Sequence, residues 1–154
     1  MFATQIRQST LATIALIAML LLGGSIFAQD AGPESELEPG TFRNPLNPFN
    51  GPDPWLTYYE GNYYLTATTG ASHWTMRQSP TLAGLKTAQA VVIYQETDPS
   101  RCCNFWAPEF HMIDGPNGPR WYFYYSAGTS GTLDNQNMHV LESEGTDPMG
   151  PYTY

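Results

Sequence analysis

The feature that most limits how this chain can fold is a strand pattern that occurs twice. From Phe42 onward, aromatic and β-branched runs alternate with turns rich in Gly, Pro and Asn. The first unit reads Asp53-Pro54-Trp55-Leu56-Thr57-Tyr58-Tyr59, a turn at Glu60-Gly61-Asn62, then Tyr63-Tyr64-Leu65-Thr66-Ala67-Thr68. The second reads Glu109-Phe110-His111-Met112-Ile113-Asp114, a turn at Gly115 to Pro119, then Trp121-Tyr122-Phe123-Tyr124-Tyr125-Ser126. Each unit continues with a third strand, Trp74 to Ser79 and Met138 to Ser143. The first adds a short fourth, Val91 to Tyr94, and the second is expected to need one just after Tyr154. Such runs, bounded by turn residues, are strands. No stretch after residue 30 carries a helical period. Consecutive four-stranded units of this length are the mark of propeller blades, with a two-sheet sandwich as the alternative. The expected fold class is therefore all-β: about two blades of a β-propeller, an incomplete set, since a closed ring needs at least about four.

Composition excludes other classes. Of 154 residues, 42% are hydrophobic and 14% aromatic, too many for a disordered chain. Fourteen acidic residues against six basic ones give a net charge of −8, which argues against nucleic acid as a partner. Two cysteines are too few for a disulfide-built miniprotein.

The N-terminus reads as an address. A short polar start with Arg7 leads into the apolar run Leu11 to Leu22, followed by small residues up to Ala28. This is the layout of a signal peptide, residues 1–28, and it predicts a secreted (extracellular or periplasmic) protein with no membrane attachment after cleavage. The apolar run falls short of the ~20 residues that span a bilayer. Residues 29–41, acidic and without aromatics, read as a disordered linker, and the folded domain is expected over 42–154.

Asp53 and Glu109, 56 residues apart, stand at the starts of the two first strands. The innermost strand of each blade lines the central channel, so repeat-equivalent acids would converge there. Hydrolysis of a glycosidic bond needs two such carboxyls, one to protonate the leaving oxygen and one to activate water or attack. Trp55, Trp74, Phe105 and Trp106 are candidates for stacking on sugar rings, with Trp55 and Trp121 better suited to the blade core. An acidic, cation-poor groove fits a neutral glycan. The three histidines lack metal-ligand spacing, so no metal site is expected. The adjacent Cys102 and Cys103 leave three states open: free thiols, a disulfide between neighbours, or bridges elsewhere.

Three stretches resemble glycoside hydrolase family 43, the five-bladed β-propeller arabinofuranosidases, arabinanases and xylosidases. Asn44-Pro45 with Gly51-Pro52-Asp53-Pro54-Trp55 is similar to the family's opening motif. Asn104-Phe105-Trp106-Ala107-Pro108-Glu109-Phe110-His111 is similar to its Trp-Ala-Pro-Glu/Asp motif. Met138 to Ser143 with Asp147-Pro148-Met149-Gly150-Pro151-Tyr152 resembles the strand and turn that close its second blade. The resemblance implies that Asp53 is the general base of an inverting reaction. It also implies that Glu109 lines the pocket without donating the proton. That departs from the acid/base pair read from the residues alone, and the family pattern takes precedence. It places the donor Glu and a pKa-tuning Asp in later blades, beyond Tyr154. The expected function is secreted α-L-arabinofuranosidase action on arabinan, arabinoxylan or related oligosaccharides, with no cofactor beyond a possible channel ion. The present chain alone is expected to be inactive. β-Xylosidase, endo-arabinanase and a non-catalytic glycan-binding propeller are the alternatives.

Overall fold

A computed structural model describes residues 38–47 and 50–154. The proposed signal peptide and most of the linker lie outside these residues. No helix among the described residues is long and apolar enough to cross a membrane.

Two four-stranded antiparallel sheets follow one another along the chain. The first holds β1 (Trp55–Tyr59), β2 (Asn62–Thr66), β3 (His73–Ser79) and β4 (Val91–Gln95) in sequence order. The second holds β5 (Cys103–Gly115), β6 (Gly118–Gly128), β7 (Asn137–Ser143) and β8 (Tyr152–Thr153), again in sequence order. The predicted pair of four-stranded units is therefore observed, with two differences. The fourth strand of the second unit is present at Tyr152–Thr153, short enough to be hidden in a Gly/Pro-rich stretch. A one-turn helix α1 (Leu82–Leu85) lies between β3 and β4, capped by the Thr81 hydroxyl, which accepts the Gly84 N–H at 3.0 Å. It is too short to show a period.

The β1–β2 hairpin turns on two residues, Glu60 and Gly61, with φ of 45° and 84°. Two consecutive positive φ values match the right-handed twist of the flanking strands, and this geometry suits glycine best. Along β6 the alternation is regular: Trp121, Phe123, Tyr125 and Ala127 are buried, and the residues between them are partly exposed. This buried face meets the first sheet. Trp74 from β3 lies 5.3 Å from the Phe105 ring, 5.2 Å from Phe123 and 5.5 Å from Tyr125, centroid to centroid. Tyr59 meets Trp121 edge-on at 5.1 Å. The core is thus an aromatic layer between the two sheets.

The ladder registers also fix which residues of the two blades correspond. β3 and β7 are both seven residues long and end in the buried serines Ser79 and Ser143. Ser79 stands opposite Tyr63, and Tyr63 opposite Tyr58. Extending the β6–β7 ladder one step beyond Tyr122–Glu142 sets Trp121 opposite Ser143, and Trp121 stands opposite Met112. Tyr58 therefore matches Met112, Trp55 matches Glu109, and Asp53 matches Ala107. The expected equivalence of Asp53 with Glu109 is displaced by two residues. Backbone conformation agrees: Asp53 and Ala107 each precede a proline and each have a left-handed φ, 48° and 50°.

Candidate active site

In an antiparallel meander the starts of the first and third strands lie at the same end as the finish of the second. That end of the first sheet carries Asp53 and the β2–β3 loop, residues 67–72. The same end of the second sheet carries the start of β5 and the β6–β7 loop, residues 129–136. The connector between the sheets, residues 96–102, enters there as well.

Asp53 is exposed. Its carboxylate oxygen Oδ2 accepts a hydrogen bond from the Thr68 hydroxyl at 2.7 Å. Thr68 in turn accepts the Ala107 N–H at 2.8 Å, and its own N–H donates to the Pro52 carbonyl at 2.9 Å. Thr68 thereby joins the Gly-Pro-Asp-Pro stretch of one blade to the Trp-Ala-Pro stretch of the next. The seam continues beside it: Gly70 N–H donates to the Phe105 carbonyl at 3.1 Å, and Phe105 N–H to the Ala71 carbonyl at 3.4 Å. The β5–β6 ladder shifts register on both sides of Trp106. Such bulges re-aim side chains, and they recur at functional ends of sheets.

Glu109 and His111 follow on the same face of β5. The Glu109 carboxylate lies 3.5 Å from His111 Nε2, with 56% and 44% of the two side chains exposed. Trp55 packs its ring edge-on to His111 at 4.9 Å and donates its indole N–H to the Phe110 carbonyl at 3.0 Å. Trp106 is half-buried at this end of the strand. On the surface Asp53 and Glu109 are thus exposed and His111 and Trp106 partly so, while Trp55 packs against the core with its indole N–H already engaged.

Two residues expected to bind substrate do not belong to this surface. Trp74 and Phe105 have no exposed area, and their rings pack against each other in the core. Trp74 sits on the face of β3 turned toward the second sheet, where alternation hides every second side chain. Phe105 points inward from β5, and its neighbour Trp106 does not. Sequence reading missed Thr68 and His111. Thr68 stands among several Thr residues, and only the continued β1–β2 ladder sets it opposite Asp53. His111 lies within the quoted Trp-Ala-Pro-Glu-Phe-His run, where alternation from Glu109 would have found it.

The connector is held by one buried carboxylate. Glu96 Oε1 accepts the N–H groups of Thr97 and Asp98, both at 2.8 Å. Its Oε2 accepts the Tyr94 hydroxyl and Arg101 Nε, both at 2.7 Å. Arg101 also pairs with Asp98 at 2.6 Å and lies 4.0 Å over the Tyr154 ring of β8's segment. Burial pushes the Glu96 carboxyl upward, but the hydrogen bonds from Tyr94, the two amides and Arg101 outweigh it and hold the group below its ordinary value. The connector then delivers a disulfide between the adjacent Cys102 and Cys103, Cα atoms 3.7 Å apart, which settles the three states left open. No group of His, Cys, Asp and Glu suited to a metal occurs among the described residues.

Comparison with known proteins places this geometry. An extracellular exo-α-(1→5)-L-arabinofuranosidase of Streptomyces avermitilis is 32% identical over 140 residues, 90% of this chain and 27% of that protein. Its counterpart from Streptomyces chartreusis is 31% identical over 149 residues, 92% of this chain and 44% of that protein. The chain thus spans less than half the length of these relatives. The crystal structure of an α-L-arabinofuranosidase from Lactobacillus brevis superposes with a TM-score of 0.62 at 29% identity, over 73% of this chain and 37% of that one. Its fold bears out the reading of the two sheets as propeller blades. The sequence profile of Glycosyl hydrolases family 43 matches residues 42–154, which takes in both blades and the Thr68 seam between them, and the chain belongs to that family.

Proposed function

We propose that this chain forms two blades of an exported, inverting arabinofuranosidase that removes arabinose from arabinan, arabinoxylan or related oligosaccharides. The observation that carries the reading is the exposed Asp53 carboxylate, held by Thr68 against the Trp-Ala-Pro stretch of the next blade. The extracellular relatives named above support both the substrate class and the export, and a disulfide fits an oxidising compartment. In this reading Asp53 takes a proton from a water, which attacks the anomeric carbon from the face opposite the leaving group. Trp106 and Glu109 hold the sugar, one by its ring and one by hydrogen bonds to hydroxyl groups. The proton donor comes from outside the residues of these two blades, so the 154-residue chain by itself is expected to be inactive.

The test is arabinose release from a short 1,5-linked arabino-oligosaccharide by the full-length polypeptide. Asp53→Ala is expected to lower kcat by about 10²-fold or more, the size of one general-base contribution. An unchanged rate, or a full-length polypeptide that releases xylose from a xylo-oligosaccharide and no arabinose from this substrate, overturns the assignment.

A further inference from the structure

Asp53 owes its orientation to another side chain, and that side chain has been given no role. The Asp53 backbone adopts a left-handed φ of 48° between two prolines, a conformation that L residues reach at some cost. Nothing in a left-handed turn by itself fixes how the carboxyl group rotates. One contact does: the Thr68 hydroxyl on Oδ2 at 2.7 Å. The other oxygen, Oδ1, takes no hydrogen bond among the described residues. The direction of the Thr68 proton is itself determined. The Ala107 N–H, at 2.8 Å, has no option but to donate to Thr68 Oγ1. An ionised carboxylate has no option but to accept. The hydroxyl is therefore a one-way relay, from the amide of one blade to the carboxylate of the other.

We infer that Thr68 is a positioning residue for Asp53, pinning Oδ2 so that Oδ1 is presented to the attacking water. This inference rests on the assignment of Asp53 as general base. It gives the Trp-Ala-Pro segment a second task, since the Ala107 amide orients the hydroxyl that orients the base. Left-handed Ala107, at φ 50°, is what turns that amide toward Thr68 instead of into the β5–β6 ladder.

The experiment measures kcat and KM of the full-length polypeptide on the same arabino-oligosaccharide for Thr68→Val, Thr68→Ser, Asp53→Ala and the Asp53→Ala/Thr68→Val double variant. Thr68→Val keeps the shape and removes the hydroxyl. It is expected to lower kcat by roughly 10- to 100-fold with KM within about twofold, the effect of a misdirected catalytic group. Thr68→Ser is expected to restore most of the rate. In the double variant the valine is expected to cost nothing further, because its target is gone. A purely structural Thr68 would instead add its cost in both backgrounds and move the melting temperature in parallel.

Wild-type kcat in Thr68→Val, beside a strongly slowed Asp53→Ala, overturns the positioning role and leaves the base assigned. An active Asp53→Ala overturns the base assignment itself. A crystal structure tests the inference without any variant: Thr68 Oγ1 and Asp53 Oδ2 more than 3.5 Å apart would overturn it.

Discussion

Trp74 has no exposed surface and touches three aromatic rings across the blade interface, and Trp106 is half-buried at the end that carries Asp53. Their substitutions should separate cleanly. Trp74→Ala is expected to destabilise by about 3–5 kcal/mol, the usual cost of removing a large core aromatic. Trp106→Ala is expected to leave the melting temperature nearly unchanged and to weaken binding of arabino-oligosaccharides. Thermal melts and calorimetric titration of the two variants check this, and a stable Trp74→Ala would contradict the core described above. The sequence did not separate these tryptophans. Both stand in β-rich runs beside polar loops, and burial is decided by which face of a strand meets the second sheet. Asp53 was different: a lone acid between two prolines ahead of a strand is visible in one dimension, while its partner Thr68 becomes visible only once the strands are in register.

Among the elements, the connector between β4 and β5 depends most on ionisation. Glu96 is almost fully buried and satisfied by four donors, and its carboxyl sits below its ordinary value in the fold. The unfolded chain therefore takes up that proton first as pH falls. The stabilisation is fully present above the unfolded glutamate value, ~4.3, and is lost as pH drops through the lower folded value. Glu96→Gln is expected to cost about 2 kcal/mol at pH 7, as for hydrogen bonds to a charged group. The gap between wild type and variant is expected to close on acidification below about pH 4.3. Melting temperatures at pH 7, 5 and 3.5 read both effects; a gap that widens in acid would contradict them. Strand existence was legible from aromatic and β-branched runs, but strand correspondence was not. The first two strands are five residues each in one blade and thirteen and eleven in the other, so no single spacing maps one blade onto the next, and a spacing of 56 residues matched Asp53 to Glu109. The hydrogen-bonded ladders match it to Ala107 instead. The two-residue β8 pairs too briefly to leave a pattern.

At the scale of the molecule, the two sheets bury one face each against the other and leave apolar side chains on the faces turned away. Leu56 and Tyr58 on β1 are 42% and 62% exposed, and Met138 and Val140 on β7 are 72% and 37% exposed. Such patches are interaction surfaces or liabilities. The purified 154-residue chain is expected to self-associate as its concentration rises, and Tyr58→Lys with Met138→Lys to suppress this. Light scattering over a dilution series reads it, and a monodisperse monomer at millimolar concentration would contradict it. The blade count and the family were legible because they rest on runs and motifs that are contiguous in the chain. The seam between blades was not, since every bond in it joins residues far apart in sequence.

The disulfide at the start of β5 joins neighbours, so it closes the shortest loop a cystine can close. Cross-links stabilise proteins largely by thinning the conformations open to the unfolded chain, and that effect grows with the length enclosed. This one encloses nothing beyond its own two residues. It acts as a splint on a single peptide where the connector enters β5, and a reductant would register in the local backbone there before it registered in how the protein melts.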